Sequence, residues 1–290
     1  MDEAAAAEPY RNARIAFLTQ HGKERVLAPI FADAFGARVE VVAGFDTDTL
    51  GTFTRETPRA GTQLEAARRK AQLAIELSGA ELGLGSEGAF VPGPFGLGSW
   101  NLELVVLVDR THGIEVVGRA DGAGRHLYAC VATRDELRDF AARGGFPEHG
   151  LVVRPDDERD PRVQKGLHRG LRDWPALEAA FDEAIRQSTQ GAAFIESDLR
   201  AHLNPTRMAV IAGAGRDLVA RLRAACRACG ARGFGVVGRV PGLPCADCGA
   251  PTREAIADEF ACVRCEHREA RARADGPTEA SPAVCDHCNP

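Results

Sequence analysis

Short apolar runs alternate with helically spaced apolar stripes along the first two thirds of this chain. Residues 14–19, RIAFLT, read as a buried strand, and 22–35 follow with apolar residues at helical spacing. A second strand is expected over 38–43. A polar stretch, GFDTDTLGTFTRETPRAG, then leads to a long alanine-rich helix that Thr62 opens and that ends near Gly79. Residues 82–86 form a third apolar strand, followed by a glycine- and proline-rich loop, GSEGAFVPGPFGLGSW. Two further strands, 102–109 and 114–119, flank Thr111-His112-Gly113 and predict a hairpin. Beyond them lie a strand over 127–132, a helix capped by Thr133 and Glu136 that runs to Gly144, and an amphipathic helix over 174–187. The stretch RPDDERDPRVQKG reads as loop. A polar segment, ESDLRAHLNPTR, precedes a last helix that ends near residue 223.

Strands interleaved with helices imply an α/β domain over 13–223, and the hairpin makes its sheet mixed rather than all parallel. Residues 1–12 read as a frayed alanine-rich tail, and 224–290 as a separate cysteine-rich module. The chain has 290 residues, 44% of them hydrophobic, with 36 Lys+Arg against 41 Asp+Glu. That is an ordinary globular composition, and a net charge of −5 gives no general reason to coat nucleic acid or an anionic membrane. The longest uncharged run, 88–102, is too short to span a bilayer and is broken by Pro92 and Pro94. The acidic start, MDEAAAAEPY, is not a secretory signal, so a cytoplasmic protein is expected.

Cysteine placement is the most informative chemistry. Cys130 stands alone in an apolar strand and reads as a core residue. The other eight form four Cys-x-x-Cys pairs: Cys226/Cys229, Cys245/Cys248, Cys262/Cys265 and Cys285/Cys288. Two such knuckles complete a closed four-sulfur site with bonds of about 2.3 Å, so eight thiolates imply two structural zinc ions in a double zinc ribbon. Redox-active pairs or an iron–sulfur cluster are the alternatives. Linkers of 15, 13 and 19 residues allow sequential, nested or cross-braced pairing. The nested order is favoured, because TREAIADEFA between the second and third knuckles has the length of a ribbon hairpin and the last knuckle would close onto the first. From Cys226 onward eight Arg and no Lys face nine Asp+Glu, and the thiolates add about −4 once two ions are bound. A structural or protein-binding module is therefore expected rather than a nucleic-acid reader.

Phosphate chemistry is suggested upstream. Thr19-Gln20-His21-Gly22-Lys23 ends a strand, turns at glycine and enters a helix, where free amides, the helix dipole and Lys23 suit a triphosphate. Glu65 on the long helix and Glu87 past the third strand could share a hard divalent ion such as Mg²⁺, although Thr62 and Glu65 also fit a capping box. The residues of ESDLRAHLNPTRM divide between helix punctuation by Asn204-Pro205, a surface Asp198–His202 pair, and recognition of a base or phosphate by Arg200, His202 and Arg207.

The order Thr-x-x-x-Lys, then Thr-x-x-Glu-x-Ala-x-x-Lys-Ala, then an acidic-glycine turn resembles the inosine/xanthosine triphosphate pyrophosphatase family, with Arg59-Ala60-Gly61 as a similar lead-in. The resemblance covers roughly residues 14–120. It implies an elongated mixed α/β fold and Mg²⁺-dependent hydrolysis of purine nucleoside triphosphates. Thr19, Lys23 and Lys70 would then hold phosphates, while Glu65 and Glu87 would bind metal or activate water. His21 stands where that family has asparagine, Ala66 replaces a second asparagine, and Gly85-Ser86-Glu87-Gly88 lacks a doubled aspartate. The whole chain also resembles a bacterial family of unknown function. Two functions follow as expectations: a Mg²⁺-dependent nucleotide pyrophosphatase, or a non-catalytic nucleotide- or RNA-sensing adaptor whose zinc ribbon binds a partner protein.

Overall fold

The computed structural model describes residues 9–45, 61–156, 167–273 and 276–290. Most of the polar stretch with Arg59 and Ala60, and most of the RPDDERDPRVQKG loop with Lys165, lie outside the described residues. Two sheets and a small ribbon carry the architecture. The first sheet uses β1 (Arg14–Phe17), β2 (Arg38–Val41), β3 (Leu82–Pro92), β4 (Ser99–Asp109) and β5 (Ile114–Gly124) in the order β2-β1-β3-β4-β5. β1 runs parallel to β2 and β3, whereas β3, β4 and β5 form an antiparallel meander, so the sheet is mixed as expected. The parallel pairs are bridged by α1 (Glu24–Phe35) and α2 (Gln63–Ser78), the helical crossovers that parallel neighbours need.

α1 and the last helix, α5 (Pro205–Arg223), cover one face, burying Phe17, Leu27, Phe31, Leu84, Leu107 and Leu218 together. α2 covers the other. Thr62 and Glu65 do form its capping box, the hydroxyl accepting from the Glu65 amide and the carboxylate from the Thr62 amide.

The glycine-rich stretch after Ser86 is strand, not loop. β3 and β4 continue in register from Leu82↔Asp109 to Pro92↔Ser99, and only a short 3₁₀ turn, Pro94–Gly96, separates them. The glycines serve close packing. A Cβ on Gly83 would lie 2.1 Å from the Ala71 carbonyl oxygen, and one on Gly85 would lie 2.0 Å from that of Ala67. The α2 backbone therefore rests directly on β3, which glycine permits where another backbone approaches a strand closely.

The second sheet, β6 (Tyr128–Val131), β7 (Leu151–Pro155), β8 (His168–Leu171) and β9 (Ala193–Ser197), runs β6-β9-β7-β8 with every pair antiparallel. Only β6 was legible beforehand. α3 (Arg134–Gly144) and α4 (Trp174–Gln187) pack on one face through Leu137, Phe140, Leu177 and Phe181. Cys130 is exposed, which corrects its reading as core: the side chain alternates to the face opposite Val131, on an edge strand. The tail also ends earlier than expected. Pro9–Asn12 form a turn in which Tyr10 is buried against Phe35 and donates to Asp109.

The C-terminal ribbon is a three-stranded antiparallel meander of β10 (Gly235–Pro241), β11 (Ala255–Ala261) and β12 (Arg268–Ala272). TREAIADEFA supplies one strand rather than a hairpin. The ribbon rests on the first domain where Gly233 fits between Val116 and Val263, and where the Arg264 guanidinium donates to the His112 carbonyl. No described helix is long and apolar enough to cross a membrane.

Candidate functional sites: a buried cation cluster and two four-cysteine centres

Each linker of the ribbon holds one strand, so successive knuckles fall at alternate ends of the meander. Knuckles one and three meet at one end, two and four at the other. Cys226, Cys229, Cys262 and Cys265 form one set and Cys245, Cys248, Cys285 and Cys288 the other, with all four sulfurs of each within 4.8 Å of one another. The pairing is cross-braced, which corrects the nested expectation. Separations of 3.8 Å for Cys226–Cys265 and 3.6 Å for Cys229–Cys262, then 3.8 Å for Cys245–Cys288 and 3.7 Å for Cys248–Cys285, match the edge of a tetrahedron. Four thiolates about 2.3 Å from one ion would be about 3.8 Å apart. Both sets are compatible with structural zinc. His267 stacks on Phe234 at 5.6 Å instead of approaching a site as a ligand.

The second constellation sits where the apolar face of the first sheet turns polar. On β3 the row Leu82, Leu84 is continued by Ser86 and Gly88; on β4 Leu107 and Val105 are continued by Glu103 and Asn101. Lys23, at the N-cap of α1, is 6% exposed and donates to the Ser86 hydroxyl at 2.8 Å and to its carbonyl at 3.4 Å. From α5, Arg207 donates through Nε to Glu103 Oε1 at 2.7 Å and through Nη1 to the Leu199 carbonyl at 2.6 Å. Gly88 makes room for this pair, since a Cβ there would lie 2.2 Å from Glu103 Oε1. On the opposite face of the same strand, Lys70 of α2 donates to Glu87 Oε2 at 2.6 Å, and Gln63 donates to the Glu87 and Leu102 carbonyls.

Burial is the largest cause that lowers the Lys23 ammonium to about 7, with Arg207 next and Lys70 also contributing; Glu103 and Glu87 oppose it. Among the described residues no carboxylate pairs with Lys23. Three cations, Lys23, Lys70 and Arg207, thus stand with two carboxylates, Glu87 and Glu103. The segment over 198–207 closes on the turn before α1. His202 stacks on His21 at 5.5 Å, and burial followed by the neighbouring lysine holds His21 down to about 3. Burial and Arg200 lower His202 as well.

The sequence-predicted residues therefore separate into two groups. Lys23 and Arg207 meet the β3–β4 polar rows, Lys70 and Glu87 pair on the opposite face of β3, and His202 stacks on His21 next to the Lys23 turn. Thr19 is half-buried in the turn after β1. Glu65 is exposed, its Oε2 taken by the Thr62 amide and hydroxyl, and those bonds hold it below the usual carboxylate range. Glu87 lies mid-strand rather than in a turn. Arg200 binds Asp198 at 2.6 Å, replacing the expected Asp198–His202 pair, and Asn204 caps α5 by accepting from the Arg207 amide. Glu103 and Asn101 were missed altogether. The sole signal was a glutamate and an asparagine at alternate positions of an apolar strand.

No curated protein and no solved structure matches the chain. Residues 70–290 match a family described as a domain of unknown function, DUF6671, a span that takes in Lys70, Glu87, Glu103, Arg207 and all eight paired cysteines but not Lys23. More than half of the chain is covered, and the protein belongs to the DUF6671 family.

Proposed function

We propose that the cluster around Lys23 is an anion site for the phosphates of a purine nucleotide, and that the two four-cysteine centres hold structural zinc ions in the adjoining ribbon. The observation that carries the phosphate reading is Lys23 itself, a buried ammonium whose hydrogen bonds go to neutral Ser86. A buried ammonium with no carboxylate hydrogen-bonded to it is costly, and an incoming phosphate oxygen supplies a charged partner. Lys23 is itself the N-cap residue of α1, so the positive end of that helix dipole adds to the same field. The likeness of Lys23, Lys70 and Glu87 to the inosine triphosphate pyrophosphatase family agrees with this ligand class.

Magnesium held between Glu65 and Glu87 does not fit. One carboxylate is spent in a helix cap and the other is paired with Lys70. Binding without turnover is therefore favoured over hydrolysis. An adaptor role would have the ribbon meet a partner protein; Val237, Ile256 and Val284 are exposed on three separate elements of it.

Calorimetric titration with purine nucleoside triphosphates, with and without Mg²⁺, tests the reading, pyrophosphate release being scored in the same samples. Binding that weakens by about tenfold or more in Lys23→Met supports it, as expected when one charge-assisted hydrogen bond is lost. Equal binding by wild type and Lys23→Met, or none by either, overturns the site. Pyrophosphate release would restore the hydrolase.

A further inference from the structure

Beyond Glu103, β4 carries a column of polar side chains on the α5-facing side of the sheet: Ser99, Asn101 and Glu103 at alternate positions. Asn101 is fully buried, and both of its amide atoms lack a hydrogen-bond partner, as do Ser99 Oγ and Glu103 Oε2. Buried polar atoms in native proteins are almost always satisfied. Four orphans on one face of one strand point to groups that find their partners in a ligand.

The surroundings support this. The strand opposite offers Gly122 beside Asn101 and Gly124 beside Ser99. The half-buried Phe90, cross-strand from Asn101, lays its ring over Gly124, where a Cβ would come 2.9 Å from the ring. His126 stands 5.8 Å from that ring, edge-on. An aromatic side chain thus shields a wall of hydrogen-bonding groups, and the wall ends at the Arg207–Glu103 pair beside the phosphate site.

The geometry points to a nucleobase subsite in which Asn101 and Glu103 read the base edge and Phe90 swings aside to stack on it; this rests on the phosphate reading of Lys23. The donor pattern selects the base. Glu103 Oε2 can only accept, while the Asn101 amide gives one donor and one acceptor. The wall needs an edge that reads acceptor, donor, donor. Guanine supplies O6, N1–H and N2–H in that order. Adenine has no third group, uracil and xanthine turn a carbonyl toward the carboxylate, and cytosine offers two acceptors. The inferred ligand is a guanine nucleotide.

The test titrates the full zinc-loaded chain with GTP, ITP, ATP, guanosine and inorganic tripolyphosphate. GTP binding about tenfold or more tighter than ITP, which lacks only the 2-amino group, supports the wall, since that group bonds a charged acceptor. Asn101→Ala and Phe90→Ala should each erase the GTP-over-ATP preference and leave tripolyphosphate affinity unchanged. Asn101→Ala is expected to fold, because it removes orphaned polar atoms rather than satisfied ones. Equal affinity for GTP, ITP and ATP, with tripolyphosphate still bound, overturns the base wall and spares the anion site. Guanosine binding without tripolyphosphate binding supports the wall and overturns the anion site. Failure of every probe overturns both.

Discussion

Lys23 Nζ lies 2.8 Å from the Ser86 hydroxyl, which joins the first turn of α1 to the middle of β3 through a buried ammonium and a neutral oxygen. Burial and the Arg207 charge hold that ammonium near 7. In the unfolded chain it titrates near its ordinary value of 10.5. Between those limits the unfolded state carries the proton that the folded state has shed, so this group makes stability rise with pH from about 7 to 10.5 and is most costly below 7. Lys23→Met should flatten that slope, which denaturant midpoints at pH 7 and pH 9 would measure. An unchanged slope would place the lysine in a far less buried setting.

Anion binding needs the protonated form. Tripolyphosphate affinity should therefore fall as pH rises above about 7, and binding near that pH should take up protons. Calorimetry in buffers of different ionisation enthalpy reads the uptake directly. Arg207, Lys70, Glu87 and Glu103 are the charged neighbours that set the midpoint.

Gly85→Ala should destabilise the fold by about 1–3 kcal/mol, the usual cost of forcing atoms into a packed contact. Its Cβ would push α2 away from β3 at Ala67 and carry Lys70 from Glu87. Thermal melts should show the loss. Gly96→Ala, at a turn glycine with no atom near its Cβ, strains only its own backbone at φ 74° and should leave the Lys70–Glu87 pair intact.

Thr62→Ala should cost about 1 kcal/mol through the helix cap and leave nucleotide affinity unchanged. Glu65→Gln should likewise leave binding unchanged, since its carboxylate faces the cap and solvent. A large loss of nucleotide binding in Glu65→Gln would return that glutamate to the site.

Cross-braced pairing makes a selective claim about the ribbon. Cys262→Ser should release one metal ion and expose Cys226, Cys229 and Cys265 to alkylation, while Cys245, Cys248, Cys285 and Cys288 stay protected. Mass spectrometry of the alkylated chain separates this from nested pairing, in which Cys245 and Cys248 would become reactive instead. Chelation of both ions should unfold the ribbon, because so small a module has little core besides its metal sites.

Local pattern determined a good deal of this protein. Helix limits followed from caps, as at Thr62, Thr133 and Asn204, because a cap is a contact between residues three apart. The cysteine pairs were equally plain, since knuckle spacing is itself the local geometry of a metal site. Tertiary structure decided the rest. Gly83 and Gly85 fall within the predicted strand, but only the packed structure shows α2 resting on them; β7 and β9 run into the polar segments that follow them, and β8, HRGL, has too little apolar pattern to announce a strand before it pairs. Which knuckles share an ion depends on a three-stranded meander alternating their ends. Glu65 and Glu87, alike in sequence, part company because one turns back to its own helix cap while the other crosses to Lys70. Asn101 and Glu103 gained meaning only when the fold buried them without partners. Sequence fixes contacts made within one turn or one knuckle; contacts between distant segments depend on how helices and strands are stacked, and the candidate site is made almost entirely of those.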